Sequence, residues 1–348
     1  MSKDNENVPL PGWTNDEPDS AATPFAPDQM VRCDECLRAN PPTRVNCLYC
    51  AALLPHTETT VDLQKPELRP LEKWEQGYNN IIQPPVANLT PAQLTEAADL
   101  LRLRLEDLDR ILAATTPLPL ARAATIDEAQ LVQHRLRLLG IESTIMTDAA
   151  PGTDAAGVVK VRALEIDEGG IYAYQTPEAP FTPVSWPDLR LLVIGRLTLK
   201  RVELKERKGK RAENTIMNTS EFVTDETVVD FYAQQQPTPF RIEANSFDFS
   251  CLGSSKGLLA VENISRLVQL FRERAPQAEF DESFNSVRKA LEAAWPSAQQ
   301  NESSGWRRER PGKYSIGSVM ETNNEPQFSR YSRLRHYLQS TAAVGDNR

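Results

Sequence analysis

Four cysteines in the N-terminal part of the chain have residue types and a spacing that define a chemistry. Cys33, Cys36, Cys47 and Cys50 form two C-x-x-C pairs that are separated by ten residues. Two such pairs can present four thiolates at the corners of a tetrahedron, the coordination that Zn²⁺ accepts with Zn–S bonds of about 2.3 Å. We therefore predict one structural Zn²⁺ with these four ligands, and the alternative is two disulfides.

The same pattern disfavours two catalytic uses of the cysteines. Four cysteine ligands leave no open coordination position for a water molecule, so a catalytic zinc is not expected. Neither pair is followed by a predicted helix, which disfavours a thioredoxin-like redox pair. A segment as short as 31–55 has no adequate apolar core, so we expect its folding and its metal binding to be one event.

Residues 31–55 resemble the short zinc ribbons of bacterial proteins, in which glycine follows each C-x-x-C and Asn-Pro follows the first. Asn40 and Pro41 match this pattern, whereas Leu37 and Ala51 stand where the ribbons have glycine. Those glycines relax the turn at each cysteine pair. The resemblance therefore implies a zinc ribbon in which one or both turns are strained or differently shaped.

The spacing also resembles the RanBP2-type zinc finger. Members of that family that bind single-stranded RNA stack a base on a tryptophan where this sequence has Val31, and of their arginine pair only Arg44 has a match. Members that bind ubiquitin have Thr-Phe where this sequence has Leu37-Arg38. The resemblance therefore implies zinc ligation and leaves the partner open.

Elsewhere the sequence contains no recognisable catalytic arrangement. The histidines His56, His134 and His336 belong to no nucleophile motif, and no pair of carboxylates has a context for acid–base catalysis. We expect Cys251 to be a small buried residue in an alternating strand. These observations predict a protein that is not an enzyme. An enzyme whose site escapes motif recognition is a further hypothesis, besides the two functions stated at the end of this subsection.

Two basic segments suggest an alternative function. Residues 200–211 contain seven lysines and arginines around Gly209, and residues 306–310 place Trp306 beside three arginines. Such segments can bind phosphate groups of nucleic acids or lipids. We favour the interpretation that the first is a solvated hairpin tip and the second an unstructured polar segment.

Composition also bears on the partners. The 348 residues have a net charge of −9, which argues against a general binder of phosphate backbones. No apolar run is long enough for a membrane span, and the first residues lack the features of a secretory signal. We therefore expect a cytoplasmic protein.

Composition shifts and periodicity divide the chain into six predicted segments. They are a disordered acidic tail (1–30), the zinc ribbon (31–55), a linker (56–88), a small helical and β-α-β unit (89–150), a larger α+β domain (151–295) and a polar tail with a short helix (296–348).

The small unit is predicted to begin with a helix that Thr90 caps and that has an apolar face through about residue 114. A strand, a helix capped at Thr125 and ended by Gly140, and a strand at 141–147 follow, which is a β-α-β pattern.

The larger domain is predicted to contain strands followed by helices. The strands are expected at 158–166, 171–175, 189–206, 227–234, 239–244 and 246–252, and the helices at 257–274 and 281–294. This succession resembles a pleckstrin-homology-like barrel in architecture, a likeness that says little about function. The predicted fold class is α+β, with an N-terminal zinc ribbon, a small β-α-β unit and a larger antiparallel-sheet domain with C-terminal helices.

The function that we predict from the sequence is that of a non-catalytic, cytoplasmic zinc-ribbon interaction or regulatory protein that binds a protein partner. The alternative is a nucleic-acid-binding protein that uses the zinc ribbon and the basic segment 200–211.

Overall fold

A computed structural model describes most of the chain, which divides into two compact units, Met1–Lys65 and Pro66–Arg348. We call them the N-terminal unit and the C-terminal unit. Residues 1–24 of the predicted tail and 56–65 of the predicted linker lie outside the described residues. The described ranges are 25–44, 46–52, 54–55, 66–72, 75–84, 89–114, 116–149, 157–176, 180–208, 214–234, 236–310 and 313–345. They contain both helices and sheets, which confirms the mixed α+β class.

The N-terminal unit contains two very short strands that flank the first cysteine pair. β1 (Val31–Arg32) pairs antiparallel with β2 (Ala39–Asn40). Cys33, Cys47 and Leu54 form a small buried core. Such a core removes too little apolar surface from water to offset the conformational entropy of the chain. A metal ion bound by the cysteines would supply the missing stabilisation.

A three-stranded sheet comes first in the C-terminal unit. Its strands are β3 (Tyr78–Ile82), β4 (Pro119–Ala123) and β5 (Ser143–Thr147), and β3 lies in the middle, antiparallel to both neighbours. β3 comes from the segment that we predicted to be a linker, and it separates the two strands of the predicted β-α-β pattern. The sequence of this segment lacks the apolar pattern of a buried strand, because Asn79 and Asn80 are polar yet buried. Tertiary partners accept hydrogen bonds from their side-chain NH2 groups, since Asn79 donates to the carboxylate of Asp148 and Asn80 to the carbonyl of Ala129. The buried side-chain oxygen of Asn80 has no hydrogen-bond partner among the described residues.

Two helices replace the single helix that we predicted between residues 90 and 114. The predicted cap is present, because the Thr90 hydroxyl accepts a hydrogen bond from the Gln93 N–H. The chain leaves the helix at Arg102, whose φ of 55° is left-handed. The helices are α1 (Pro91–Leu101) and α2 (Leu105–Leu112), and α3 (Ile126–Leu138) follows β4 as predicted.

A larger sheet is built around the antiparallel pair of β10 (Leu189–Lys208) and β11 (Asn214–Ala233). The other strands are β6 (Val159–Val161), β12 (Gln236–Glu243), β13 (Glu279–Asp281), β14 (Ala298–Arg310) and β15 (Lys313–Asn323). The strand order is β14-β15-β10-β11-β12-β6, and β13 pairs with β10 beyond the segment that pairs with β15. The sheet is mixed rather than antiparallel as predicted, because β6 is parallel to β12 and β13 is parallel to β10. The polar residues of β14 and β15 gave no alternating apolar signal, and their strand conformation comes from pairing with each other and with β10.

A second small sheet contains the hairpin that the sequence predicts. Its strands β7 (Ala163–Ile166) and β8 (Gly170–Tyr174) are antiparallel, and β9 (Thr182–Ser185) pairs with β8. The Asp167 carboxylate accepts hydrogen bonds from the N–H groups of Gly169 and Gly170, which fixes the turn. The strand predicted at 246–252 is wrong, because Phe249–Ser255 forms a 3-10 helix that Asp248 caps.

Side-chain alternation along β10 assigns the two faces of the larger sheet to different cores. Leu191 and Val193 belong to a core that also contains Phe284 and Phe328, whereas Leu192 belongs to a core that contains Phe271. Phe271 lies on α4 (Ala260–Arg274), Phe284 on α5 (Phe284–Leu291) and Phe328 on α6 (Glu325–Gly345). Ile81 and Leu101, from the predicted linker and the predicted small unit, share the first of these cores.

Candidate metal centre

Each of the two cysteine pairs lies on a tight turn, and an equivalent backbone hydrogen bond closes each turn. In the first turn the Leu37 N–H donates to the carbonyl of Cys33, at 2.8 Å. In the second turn the Ala51 N–H donates to the carbonyl of Cys47, at 3.0 Å. Each turn therefore holds the backbone of its two cysteines in one compact arrangement.

The residue that closes each turn adopts a left-handed backbone conformation. The φ angles are 60° for Leu37 and 59° for Ala51. Glycine adopts this region without a steric penalty, and residues with a Cβ atom adopt it only at some cost. One residue in each turn therefore keeps the left-handed conformation although it is not glycine, and each turn is strained at that residue.

The four cysteine sulfurs converge on a single point. All four lie within 4.8 Å of one another. The Sγ atoms of Cys33 and Cys50 are 3.6 Å apart, and those of Cys36 and Cys47 are 3.5 Å apart. Tetrahedral ligation with Zn–S bonds of about 2.3 Å needs sulfur–sulfur distances of about 3.8 Å. The cysteines are thus free thiols positioned to hold one metal ion, and their geometry is compatible with zinc.

Asn40 connects the two turns from the inside of the unit. Its buried side-chain amide donates to the Arg38 carbonyl at 2.9 Å and to the Cys47 sulfur at 3.4 Å. Its side-chain oxygen accepts a hydrogen bond from the Leu48 N–H, at 2.9 Å. The sequence identified Asn40 only as a match to the ribbon pattern, because its hydrogen bonds depend on how the two turns meet.

The surroundings of the cysteines shift the pKa values of the Cys47 and Cys50 thiols in opposite directions. Burial opposes ionisation of Cys47, but hydrogen bonds from the N–H groups of Tyr49 and Cys50 outweigh it and lower the pKa of Cys47 to about 6. The Ala52 N–H favours the thiolate of Cys50, yet burial and the neighbouring thiols raise its pKa to about 12. A metal ion that binds all four sulfurs would displace the remaining protons.

The other described residues that the sequence singled out are not part of this cysteine cluster. Cys251 lies on a 3-10 helix rather than in a strand, and burial raises the pKa of its thiol to about 11. His336 stacks on Tyr232 with ring centroids 4.3 Å apart, and burial lowers the pKa of its imidazole. His134 lies on α3, and His56 is outside the described residues.

The predicted basic segment 200–211 is only partly described. Its first nine residues extend β10, and residues 209–211 lie outside the described residues. The Lys200 ammonium pairs with Glu221 at 2.9 Å, and the Arg201 guanidinium pairs with Glu203 at 2.9 Å. The second basic segment, with Trp306, lies on β14, so our interpretation of it as an unstructured segment is wrong: its backbone pairs with β15.

Comparisons with known proteins find no matching family model, no matching curated protein and no matching solved structure. The pleckstrin-homology-like architecture therefore stays a prediction. Within the described parts of the chain, no helix has both the length and the apolar character that a membrane crossing requires.

Proposed function

We propose that this chain is a non-catalytic, cytoplasmic interaction protein in which one Zn²⁺ on Cys33, Cys36, Cys47 and Cys50 orders a docking surface for a protein partner. The observation that supports this function is the exposure of large apolar side chains beside the metal ligands. Leu37, Leu48 and Tyr49 are 68%, 54% and 56% exposed. Apolar groups clustered on a surface are typical of interaction sites.

These side chains come from both turns. Leu37 directly follows Cys36, and Leu48 and Tyr49 lie between Cys47 and Cys50. The guanidinium of Arg38 lies over the Tyr49 ring, 4.7 Å from its centroid, so the first turn contacts the second. We call Leu37, Arg38, Leu48 and Tyr49 the knuckle surface. Arginine and tyrosine are enriched among the residues that dominate binding energy in protein interfaces.

Zinc is a metal that suits this donor set. Four cysteine thiolates in a tetrahedral arrangement are typical of structural zinc sites, and oxygen-preferring cations such as Mg²⁺ and Ca²⁺ do not select them. The ion would hold the two turns together and thereby fix the knuckle surface. Its role is structural, because four protein ligands complete its coordination shell.

Affinity capture from the native lysate, with and without nuclease, tests this function. We expect a protein that survives nuclease and is lost from both Cys47→Ala, which lacks a metal ligand, and the double variant Leu37→Ser/Tyr49→Ser. Arg32→Ser, in the same unit but outside the knuckle surface, is the control and should retain the partner. Metal analysis should find one zinc per chain in the double variant and in the control.

Two results would contradict the proposal. Retention of the partner by Leu37→Ser/Tyr49→Ser would show that the knuckle surface is not the docking site. Recovery that collapses on nuclease treatment would favour the alternative, a nucleic-acid-binding protein that uses the zinc ribbon and the basic segment 200–211.

A further inference from the structure

The C-terminal unit contains a cavity of about 440 Å³ with a strongly basic lining. Glu292 is the single carboxylate among its described lining residues. The cationic side chains come from α2 and the residue before it, from β10 and from α5. They are Arg104, Arg110, Lys200, Arg288 and Lys289.

Three of these cations already have carboxylate partners. Asp107 accepts hydrogen bonds from the Arg104 guanidinium at 2.8 Å and from the Arg110 guanidinium at 3.0 Å. The Lys200 ammonium lies 2.9 Å from the carboxylate of Glu221. The Lys200–Glu221 pair is exposed and holds its cation only weakly, whereas Asp107 is buried and its two arginine partners are exposed.

Glu292 forms no salt bridge with the other two cations among the contacts of the described residues. Its carboxylate accepts hydrogen bonds from the Ser297 N–H at 2.9 Å, from the Ser297 hydroxyl at 3.0 Å and from the Gln327 amide at 3.1 Å. The carboxylate is thus engaged by neutral donors at the side of the cavity.

Arg288 and Lys289 form no ion pair with any carboxylate of the described residues. One guanidinium nitrogen of Arg288 donates to the Thr198 hydroxyl at 3.1 Å, and that hydroxyl donates to Asp225 at 2.8 Å. A guanidinium has five N–H donors, so this contact orients Arg288 and leaves donors for a ligand.

We propose that this cavity binds a small phosphate-bearing molecule, with Arg288 and Lys289 as its main ligands. Several cations around one recess repel one another, and a multiply charged anion would relieve that repulsion. Arginine offers a planar pair of donors that matches phosphate oxygens, and lysine adds a mobile point charge. The cavity volume lies within the range of small-molecule sites, about 300–1,000 Å³. This site is independent of the proposed zinc-dependent function.

Isothermal titration of the full chain with inorganic pyrophosphate tests the proposal. We expect binding that weakens as NaCl is raised, and a loss of about tenfold or more in Arg288→Gln, since a charged hydrogen bond contributes on that order. Lys289→Gln, at an exposed position, should weaken binding without disturbing the fold. Arg137→Gln removes the same charge on α3, outside the cavity, and should bind as the wild type does.

Pyrophosphate also binds Zn²⁺, so the titration is repeated with Cys47→Ala, in which binding at the cavity should be unchanged. Any of three results would overturn the proposal. The first is no binding at millimolar pyrophosphate, and the second is an equal loss in Lys289→Gln and Arg137→Gln. The third is binding of a single-stranded oligonucleotide, sensitive to Arg288→Gln, by a protein that does not bind pyrophosphate.

Discussion

Leu37 and Ala51 occupy equivalent positions in the two cysteine turns, each one residue after the second cysteine of its pair, and their φ angles are 60° and 59°. Both residues have a Cβ atom in a conformation that favours glycine. The unit therefore keeps the turn shape that metal binding needs at the expense of local strain. Its metal affinity can accordingly be raised by changes that add no new contact.

Ala51→Gly is expected to tighten zinc binding by about three- to fourfold. Relief of a left-handed alanine is worth about 1–2 kcal/mol, and the greater freedom of glycine in the unfolded chain cancels about 0.5–1 kcal/mol of it. Competition against a chelator at fixed pH measures the change. Ala52→Gly is the matched control, because Ala52 is not among the residues with positive φ, and it should not tighten binding. Weaker binding in Ala51→Gly would contradict the strain argument.

Asn40→Ala is expected to lower the affinity for zinc by about 10–100-fold, the usual effect of losing a partner that orients a metal ligand. The change removes the amide hydrogen bond to the Cys47 sulfur and leaves the Leu48 N–H without its acceptor. Asn46→Ala is the control, since the half-buried Asn46 amide donates to the Ala51 carbonyl and to no sulfur of the described residues. The same competition assay applies, and equal losses in the two variants would argue against a special role for Asn40.

The stability of the C-terminal unit should fall in acid through Asp148. Burial opposes ionisation of this carboxyl, but Arg122, the Asn79 amide and the Gly77 N–H outweigh it and lower its pKa. A depressed carboxyl pKa stabilises the folded state above the unfolded-state value of about 4, and the contribution is lost as the pH falls through the folded-state pKa. Urea unfolding at a series of pH values should show this loss in the wild type.

Asp148→Asn tests which carboxyl is responsible for that loss. The variant should be less stable near neutral pH and should lack this part of the acid dependence. Asp127→Asn, in the first turn of α3, is the control and should retain the wild-type acid dependence. An unchanged acid profile in Asp148→Asn would rule out this carboxyl as the source.

Arg241 and Asp230 form a fully buried ion pair whose disruption should strongly destabilise the C-terminal unit. The guanidinium bonds both carboxylate oxygens, at 2.7 and 2.8 Å, and reaches Glu325 on α6 at 3.1 Å. Arg241→Met would leave Asp230 buried without a counter-ion, a change that costs about 3–5 kcal/mol. Chemical denaturation measures the free energy of unfolding. Lys160→Met breaks a more exposed pair with Glu243 and should cost less than about 1 kcal/mol.

Features that depend on a few neighbouring residues were predictable from the sequence. The spacing of Cys33, Cys36, Cys47 and Cys50 predicted sulfurs that converge, and the structure brings them together. The Thr90 cap and the turn at Asp167 were also predictable, since each is a hydrogen bond between residues two or three positions apart. The missing glycines predicted turns that are strained or differently shaped, and the φ angles of Leu37 and Ala51 show the strained form.

Features that depend on distant parts of the chain were decided by tertiary structure. β3 contains two asparagines and became a central strand because β4 and β5 supply its backbone partners. β14 and β15 are polar and became strands by pairing with each other and β10. Arg104 and Arg288 line the same basic cavity although they are far apart in the sequence. Caps, turns and spacing are set by local stereochemistry, whereas strand partners and cavities depend on which distant surfaces pack together.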